Sequence, residues 1–230
     1  MTFLITSFLL FSYNIEHPRY HSFEEVVDDL DMYSTNYPGI TLLETLGFTG
    51  TLNRPILALK ISDNPEVKED EPSVLFNGVH HAEEVLGCEV TMALIDTLLR
   101  NYESDSHIRD LVDGTEIWCL PILNPDGHSI VMALQDTSWR KNLRDNNDNG
   151  QIDLDYDGVD LNRNYDFNWD LGGDTVPSGY FYRGPYPFSE PETQVMKTFC
   201  ESELPVAIIN YHSPSYSRGE IVYYPWIWSG

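Results

Sequence analysis

Five short apolar runs alternate with amphipathic segments, and this alternation constrains the fold more than any other feature of the chain. The runs span residues 41–46, 56–61, 74–76, 117–123 and 206–209. A turn with Gly50 and Asn53 joins the first two runs, which predicts a hairpin. A capping box from Ser22 to Glu25 begins one helix, and residues 89–100 have the apolar period of another. Together they predict an α/β fold with a mixed parallel and antiparallel twisted sheet flanked by helices.

Polar side chains follow three of these runs, at the strand ends where ligand sites of α/β sheets gather. The run at 117–123 ends at Asn124-Pro-Asp-Gly, and His212 follows the last run. The run at 74–76 is followed by two overlapping His-x-x-Glu pairs, which are His80 with Glu83 and His81 with Glu84. Two histidines and one glutamate leave a fourth zinc position open for water, the catalytic pattern. The spacing alone leaves both pairs open, and such residues also occur as ordinary surface groups.

Five motifs follow one another in the order seen in zinc metallocarboxypeptidases. They are His81-Ala-Glu-Glu, Asn124-Pro-Asp-Gly, Trp139-Arg-Lys-Asn, Gly158-Val-Asp-Leu-Asn-Arg-Asn and Tyr211-His-Ser. From about Tyr20 to its last residue, the chain resembles that family. The resemblance implies that His81, Glu84 and His212 bind Zn²⁺, which favours the second of the two pairs.

The same resemblance implies two arginine sites for the substrate. Arg140 corresponds to the family's oxyanion stabiliser, a role that suits the permanent charge and rigid fork of a guanidinium. Asn162 and Arg163 match the pair that binds the terminal carboxylate, which implies a peptide substrate with a free C-terminus. The alternative for Arg163 is an intramolecular salt bridge within a segment crowded with aspartates.

Two features depart from the family pattern. Glu83 stands where many members have arginine. The resemblance implies that this residue contacts the substrate further from the scissile bond, where a negative charge favours basic residues or weakens peptide binding. The family's general-base glutamate and its substrate-capping tyrosine lie beyond Gly230, yet a carboxylate is needed to accept the proton of water. We therefore expect residues 20–230 to be a zinc carboxypeptidase-like catalytic domain without its C-terminal part. Such a fragment has a complete zinc site and lacks the catalytic base.

An acidic loop between the two arginine motifs matches the first nine positions of an EF-hand-type calcium loop. Its candidate oxygen ligands are Asp145, Asn147, Asn149 and Asp153. Position twelve is Tyr156, whereas a calcium loop has a bidentate glutamate there. Two interpretations stay open: a Ca²⁺ ion that fixes the loop and orients Arg140 and Asn162, or a solvated turn rich in Asp and Asn.

Composition restricts the partners and the compartment. The net charge of −24, from 13 basic and 37 acidic residues, argues against nucleic acid and anionic membranes and suits cationic ligands and metal ions. The cysteines are widely spaced without a C-x-x-C pair, so neither a disulfide scaffold nor a thiolate zinc site is indicated. The apolar run at residues 3–11 is shorter than the roughly 20 residues that span a bilayer. Residues 1–19 are a secretory signal or the remnant of a preceding segment, and the first interpretation predicts a secreted or cell-envelope protein.

Three functions are consistent with these residues. The first is a zinc-dependent exopeptidase that hydrolyses C-terminal residues from peptides. The second is a zinc deacylase or amidase that acts on small N-acyl amino acids, since these also carry a carboxylate for the Asn162 and Arg163 pair. The third is a non-catalytic module that binds zinc or peptide with the ligands in place and the base missing.

Overall fold

The computed structural model describes residues 20–213, in which five strands form one sheet. The strands are β1 Thr41–Phe48, β2 Pro55–Ile61, β3 Ser73–Asn77, β4 Glu116–Leu120 and β5 Ala207–Asn210. Their order across the sheet is β1-β2-β4-β3-β5. The pairs β1 with β2 and β2 with β4 are antiparallel, whereas β3 pairs in parallel with both β4 and β5. The mixed sheet and the hairpin of the first two strands confirm the predictions.

Helices cover both faces of this sheet. They are α1 Phe23–Asn36, α2 Leu86–Asn101, α3 Ser106–Val112, α4 Pro125–Met132 and α5 Pro191–Glu203. On one face, Leu30 of α1 and Ile95 of α2 pack in a core cluster with Ile61. On the other face, Phe199 of α5 contacts Trp118, with the ring centroids 5.3 Å apart. Both faces of the central parallel strands are thereby removed from water, as parallel sheets require.

Two helices, α1 and α4, begin at capping residues. The Glu25 backbone N–H donates to the Ser22 hydroxyl at 3.2 Å and the Ser22 backbone N–H donates to the Glu25 carboxylate at 2.8 Å, so the predicted capping box is confirmed. The strand predicted at residues 117–123 does not reach Asn124-Pro-Asp-Gly, because β4 ends at Leu120 and the motif begins α4. Asn124 caps this helix by accepting a hydrogen bond from the Gly127 N–H at 3.0 Å. Pro125 then takes the first helical position, where its missing N–H costs nothing.

Several predictions concern the ends of the chain. The predicted leader, residues 1–19, and residues 214–230 of the predicted catalytic domain lie outside the described residues. Within residues 20–213, none of the helices is long and apolar enough to cross a membrane. Cys88, Cys119 and Cys200 are free thiols, and the first two are buried.

His128 on α4 makes stability depend on pH. The side chain is fully buried, and neither ring nitrogen has a hydrogen-bond partner among the described residues. Burial, with a smaller contribution from Arg54, lowers the pKa of His128 from 6.5 to about 4. Between these two pH values the unfolded chain binds a proton that the folded chain does not bind, so stability falls as pH falls from 6.5 to 4.

We expect His128→Leu to remove this contribution, which amounts to about 3 kcal/mol over the whole window. Leucine has a similar volume and leaves no polar atom unpaired. Urea unfolding of both proteins at pH 7 and at pH 4.5 measures the difference. A free energy of unfolding that falls equally in variant and parent would contradict the assignment to His128.

Candidate metal centre

Three potential metal ligands meet at the carboxyl ends of two neighbouring parallel strands. β3 ends at Asn77, which pairs with Asn210 at the end of β5. His81 and Glu84 lie in the loop after β3, and His212 follows β5 by two residues. The sheet topology therefore joins residues that are separated by 128 positions along the chain.

A glycine allows the loop after β3 to fold back tightly. A Cβ atom at Gly78 would lie 2.5 Å from the carbonyl carbon of Gly87 and 2.7 Å from the oxygen of Pro121. These neighbours are backbone atoms, so they cannot rotate away as a side chain could. Any larger residue at position 78 would displace the loop that carries His81 and Glu84.

The ligand atoms themselves form a small triangle. The Glu84 Oε2 atom lies 3.0 Å from His81 Nδ1 and 2.6 Å from His212 Nδ1, and the two ring nitrogens are 3.2 Å apart. In a tetrahedral site with ligand distances of about 2.0–2.1 Å, ligand atoms lie about 3.3 Å apart. Two nitrogens and one carboxylate oxygen also form a typical set for catalytic zinc. The residues fit this ion, and the partly exposed His212 leaves one side of the triangle open to solvent.

Electrostatics keep the carboxylate of this triangle ionised. Burial raises the pKa of Glu84, but hydrogen bonds from His212 and His81 outweigh it and lower the pKa to about 2. For His81, burial lowers the pKa, whereas hydrogen bonds to Asp160 and Glu84 raise it above its ordinary value. The buried Asp160 carboxylate lies 3.3 Å from the far ring nitrogen of His81, the usual contact behind a metal-binding histidine.

Arg140 lies directly beside the triangle. Its Nε donates to the Asp160 carboxylate at 2.8 Å, and its Nη2 lies 2.7 Å from His81 Nε2. The Nη1 atom is 3.5 Å from Glu83 Oε1. The side chain is only 8% exposed, so the guanidinium is held within the site rather than free in solvent. The carboxylate of Asp160 raises the pKa of Arg140 despite burial, which keeps the charge in place.

Asn162 and Arg163 lie in a 3₁₀ turn, Leu161–Arg163, next to Asp160. Asp160 accepts a hydrogen bond from the Asn162 backbone N–H at 3.0 Å. The Phe181 ring joins the two arginine sites, since its centroid lies 5.3 Å from Arg140 Cζ and 5.4 Å from Arg163 Cζ. Within residues 20–213, Arg163 forms no salt bridge, and its Nη1 donates to the Asn162 carbonyl oxygen at 3.0 Å.

His80 takes no part in the triangle. Its Nε2 lies 2.8 Å from the Tyr165 hydroxyl, and its ring packs 5.7 Å from the His212 ring. Burial lowers the pKa of His80 well below its ordinary value, so this ring is neutral. Because Glu83 contacts Arg140 instead of His80, the first His-x-x-Glu pair does not form a ligand pair in the structure.

The predicted calcium residues also come together, in an exposed loop. The carboxylate of Asp145 accepts backbone hydrogen bonds from Asn147, Asn149 and Gly150 at 2.7–3.3 Å. The side-chain amides of both asparagines donate to Asp153 Oδ2, at 3.4 and 2.9 Å. These backbone bonds lower the pKa of Asp145. The contacts are those of an Asp- and Asn-rich turn, and the calcium ion stays a prediction.

Three residues that contact the candidate site are not predicted by the sequence motifs. Asp160 lies inside the Gly158 to Asn164 motif, and its position before Asn162 and Arg163 is a usable signal. Tyr165 follows the same motif directly, but nothing in its neighbourhood points to His80. Phe181 lies in a segment without any motif, next to the bridge between Asp174 and Tyr182, and its backbone N–H donates to the Asp174 carboxylate at 2.8 Å.

The fold and this geometry define an α/β protein in which two histidines and one glutamate, at the carboxyl ends of parallel strands, could hold a metal ion. The family model described as zinc carboxypeptidase matches residues 26–230, and the chain belongs to that family.

The individual proteins that the chain resembles are also carboxypeptidases. The chain is 37% identical over 155 residues to a zinc carboxypeptidase of Saccharothrix mutabilis subsp. capreolus, covering 67% of this chain and 34% of the relative. It is 30% identical over 204 residues to carboxypeptidase A2 of Rattus norvegicus, covering 88% and 46%. The crystal structure of carboxypeptidase A from Helicoverpa armigera superposes with a TM-score of 0.75 at 27% identity, covering 85% of this chain and 46% of that one. The chain thus spans at most about half the length of these relatives.

Proposed function

We propose that the full-length protein is a zinc-dependent exopeptidase that hydrolyses C-terminal residues from peptides, with a further carboxylate as its general base. The observation that carries the proposal is the triangle of His81, Glu84 and His212, with Arg140 in contact with His81. Membership of the zinc carboxypeptidase family supports it. The substrate class is a peptide with a free C-terminus, and nucleic acid and membranes are not partners of so acidic a chain.

Each residue then has a distinct task. His81, Glu84 and His212 would hold zinc, which when bound supplies Lewis-acid activation of the scissile carbonyl and of a water molecule. Asp160 fixes the His81 ring from behind. Arg140 orients the carbonyl oxygen and stabilises the negative charge that develops on it. Asn162 and Arg163 bind the terminal carboxylate and so select the last peptide bond.

The test of this assignment is a matched pair of peptides, one with a free C-terminal carboxylate and one with a C-terminal amide. A bidentate contact between arginine and carboxylate should favour the free acid by about 100-fold in kcat/KM. Arg163→Met should remove most of this preference, whereas Arg109→Met, at a partly exposed arginine on α3, should retain it. Equal hydrolysis of the acid and the amide by the parent protein would refute the exopeptidase.

The same assay separates the two alternatives. A deacylase or amidase would cleave a small N-acyl amino acid faster than an extended peptide with the same C-terminal residue. A non-catalytic module would bind zinc and peptide in calorimetry without releasing any amino acid.

We propose further that the acidic loop binds Ca²⁺ through Asp145, Asn147, Asn149 and Asp153. The clustering of these side chains supports the proposal, and the loop is closed by backbone hydrogen bonds from Gly158 to Arg144 and from Asn142 to Val159. Calcium at 100 times its Kd should stabilise the fold by about 2.7 kcal/mol. For a domain of this size, that corresponds to a rise in Tm of about 5–10 °C.

Thermal melting in calcium, magnesium and chelator measures this rise. Asp145→Asn should abolish the calcium-dependent shift, whereas Asp136→Asn, outside the loop, should preserve it. An identical Tm in calcium and in chelator would refute the binding of Ca²⁺ by the acidic loop.

A location outside the cell or in the cell envelope is also a proposal. The apolar run at residues 3–11 supports it. N-terminal sequencing of the mature protein from fractionated cells tests it, and an uncleaved N-terminus in the cytosolic fraction would contradict it.

A further inference from the structure

Phe181 contacts both arginines to which the proposed function gives a task at the substrate. Its ring centroid lies 5.3 Å from Arg140 Cζ and 5.4 Å from Arg163 Cζ, distances at which a cation is attracted to an aromatic ring. The residue is 38% exposed, so it lies at the border of the site and not in the core. Because both distances start at one ring, they limit how far apart the two guanidinium groups can lie.

The two arginines differ in what else holds them. Arg140 donates from Nε to the buried Asp160 carboxylate at 2.8 Å, so a charged partner fixes it independently of the ring. Arg163 has no salt bridge within residues 20–213, and its Nη1 donates to the carbonyl oxygen of its own neighbour, Asn162. The contact with Phe181 ties the Arg163 guanidinium to a separate segment of the chain. Loss of the ring should therefore free Arg163 more than Arg140.

Backbone hydrogen bonds hold Phe181 in place. Its N–H donates to the Asp174 carboxylate at 2.8 Å, and its carbonyl oxygen accepts from the Asp174 N–H at 2.8 Å. The carbonyl oxygen of the next residue, Tyr182, accepts from the Asp160 N–H at 2.8 Å. The segment that carries the ring is thus fastened to Asp160, the residue that binds one arginine and precedes the turn of the other.

One amino-acid residue can span both guanidinium groups. Covalent geometry separates the scissile carbonyl oxygen from the carboxylate carbon of the next residue by about 3–4 Å. A hydrogen bond of about 3 Å at each end then reaches Arg140 on one side and Arg163 on the other. The distance between the two guanidinium groups therefore selects how far the carboxylate lies from the scissile bond.

We propose that Phe181 is a positioning residue that sets the distance between the guanidinium groups of Arg140 and Arg163. This inference rests on the proposed function and adds to it the side chain that fixes the spacing. With the ring in place, a carboxylate that lies one bond farther from the scissile carbonyl meets Arg163 in the wrong position. Without the ring, the flexible arginine can follow the carboxylate, but it must then be ordered in every complex, which weakens binding.

Three peptides that differ only at the carboxyl end test this role. One ends in the residue that the parent protein binds best, one ends in the β3-homologue of that residue, and one is the C-terminal amide of the first. The β3-homologue keeps the scissile bond and the side chain but inserts one methylene before the carboxylate, which moves it by about 1.5 Å. Zinc-loaded protein of the full chain is used. Calorimetric affinity is measured beside kcat and KM, so that binding is read independently of turnover.

Phe181→Leu removes the aromatic face and keeps an apolar side chain. We expect it to weaken binding of the free acid by about 5- to 10-fold, the effect of one lost cation–π contact, and to leave kcat within about threefold. The affinity for the amide should stay nearly unchanged, and the preference for the acid over its β3-homologue should fall. A general loosening of the fold would instead weaken the binding of all three peptides alike.

Two further variants serve as controls. Phe181→Tyr keeps the aromatic face and should retain the parent's affinity and preference, as should Phe48→Leu, at an exposed phenylalanine on β1. Parental affinity and parental discrimination in Phe181→Leu would overturn the inference without affecting the exopeptidase. Loss of both in Phe181→Leu, together with a parent that binds the acid selectively but never cleaves it, would support the inference and refute the exopeptidase instead.

Discussion

Glutamine in place of Glu84 is expected to lower zinc affinity by about 100- to 1,000-fold, whereas glutamine in place of Glu83 is expected to leave it unchanged. Zinc sites contribute about 10–16 kcal/mol in total, so one ligand accounts for roughly 3–4 kcal/mol. The Glu84 carboxylate contacts both histidine nitrogens of the triangle and has a pKa of about 2, so it is ionised and ready to bind a cation. Glu83 instead faces Arg140.

This pair of variants is a controlled comparison because the two residues are adjacent and the substitutions are identical. Metal content after dialysis, together with calorimetric titration of zinc, measures the effect without any need for enzymatic activity. Circular dichroism at neutral pH checks that both variants fold. Zinc binding of parental strength in Glu84→Gln, or its loss in Glu83→Gln, would refute the ligand assignment.

The order of elements in the fold was predictable because local sequence patterns set it. The Ser22 capping box begins α1 as predicted, and the hairpin of β1 and β2 follows from two apolar runs and a short turn. The prediction of a strand end at Asn124-Pro-Asp-Gly was wrong because asparagine, proline, aspartate and glycine are common both in turns and at helix starts. An asparagine cap followed by proline at the first helical position is the more specific signal.

The ligands of the candidate metal site were predictable from the family resemblance, whereas the contacts around them were not predictable from the sequence. The choice between His80 and His81 rests on the family resemblance and not on the spacing, since each histidine lies three positions before a glutamate. Geometry distinguishes them, because β3 and β5 are parallel neighbours and bring His212 to the His81 side. Contacts such as that of Phe181 with Arg140 and Arg163 depend on loop packing, which the hydrophobic periodicity of the sequence does not predict.

Lysine in place of Arg140 is expected to lower kcat by about 100- to 1,000-fold with little change in KM, the loss typical of a removed oxyanion donor. Lysine keeps the positive charge but has no fork. It therefore cannot hold Asp160 through one nitrogen while it presents another to the carbonyl oxygen. The interaction with the oxygen strengthens as negative charge develops, so its loss affects the transition state more than the bound substrate.

The matched variant is Arg163→Lys, where the carboxylate is bound equally in substrate and transition state, so KM should rise more than kcat falls. Steady-state kinetics on one free-acid peptide gives kcat and KM for both variants. Because Arg140 Nη2 also lies 2.7 Å from His81 Nε2, zinc content is measured in parallel. This separates a catalytic loss from a damaged metal site. Free guanidinium should restore part of the activity of Arg140→Ala, because it can occupy the vacated space beside Asp160. If Arg140→Lys changed only KM, Arg140 would be a binding residue, and stabilisation of the oxyanion would have to come from elsewhere.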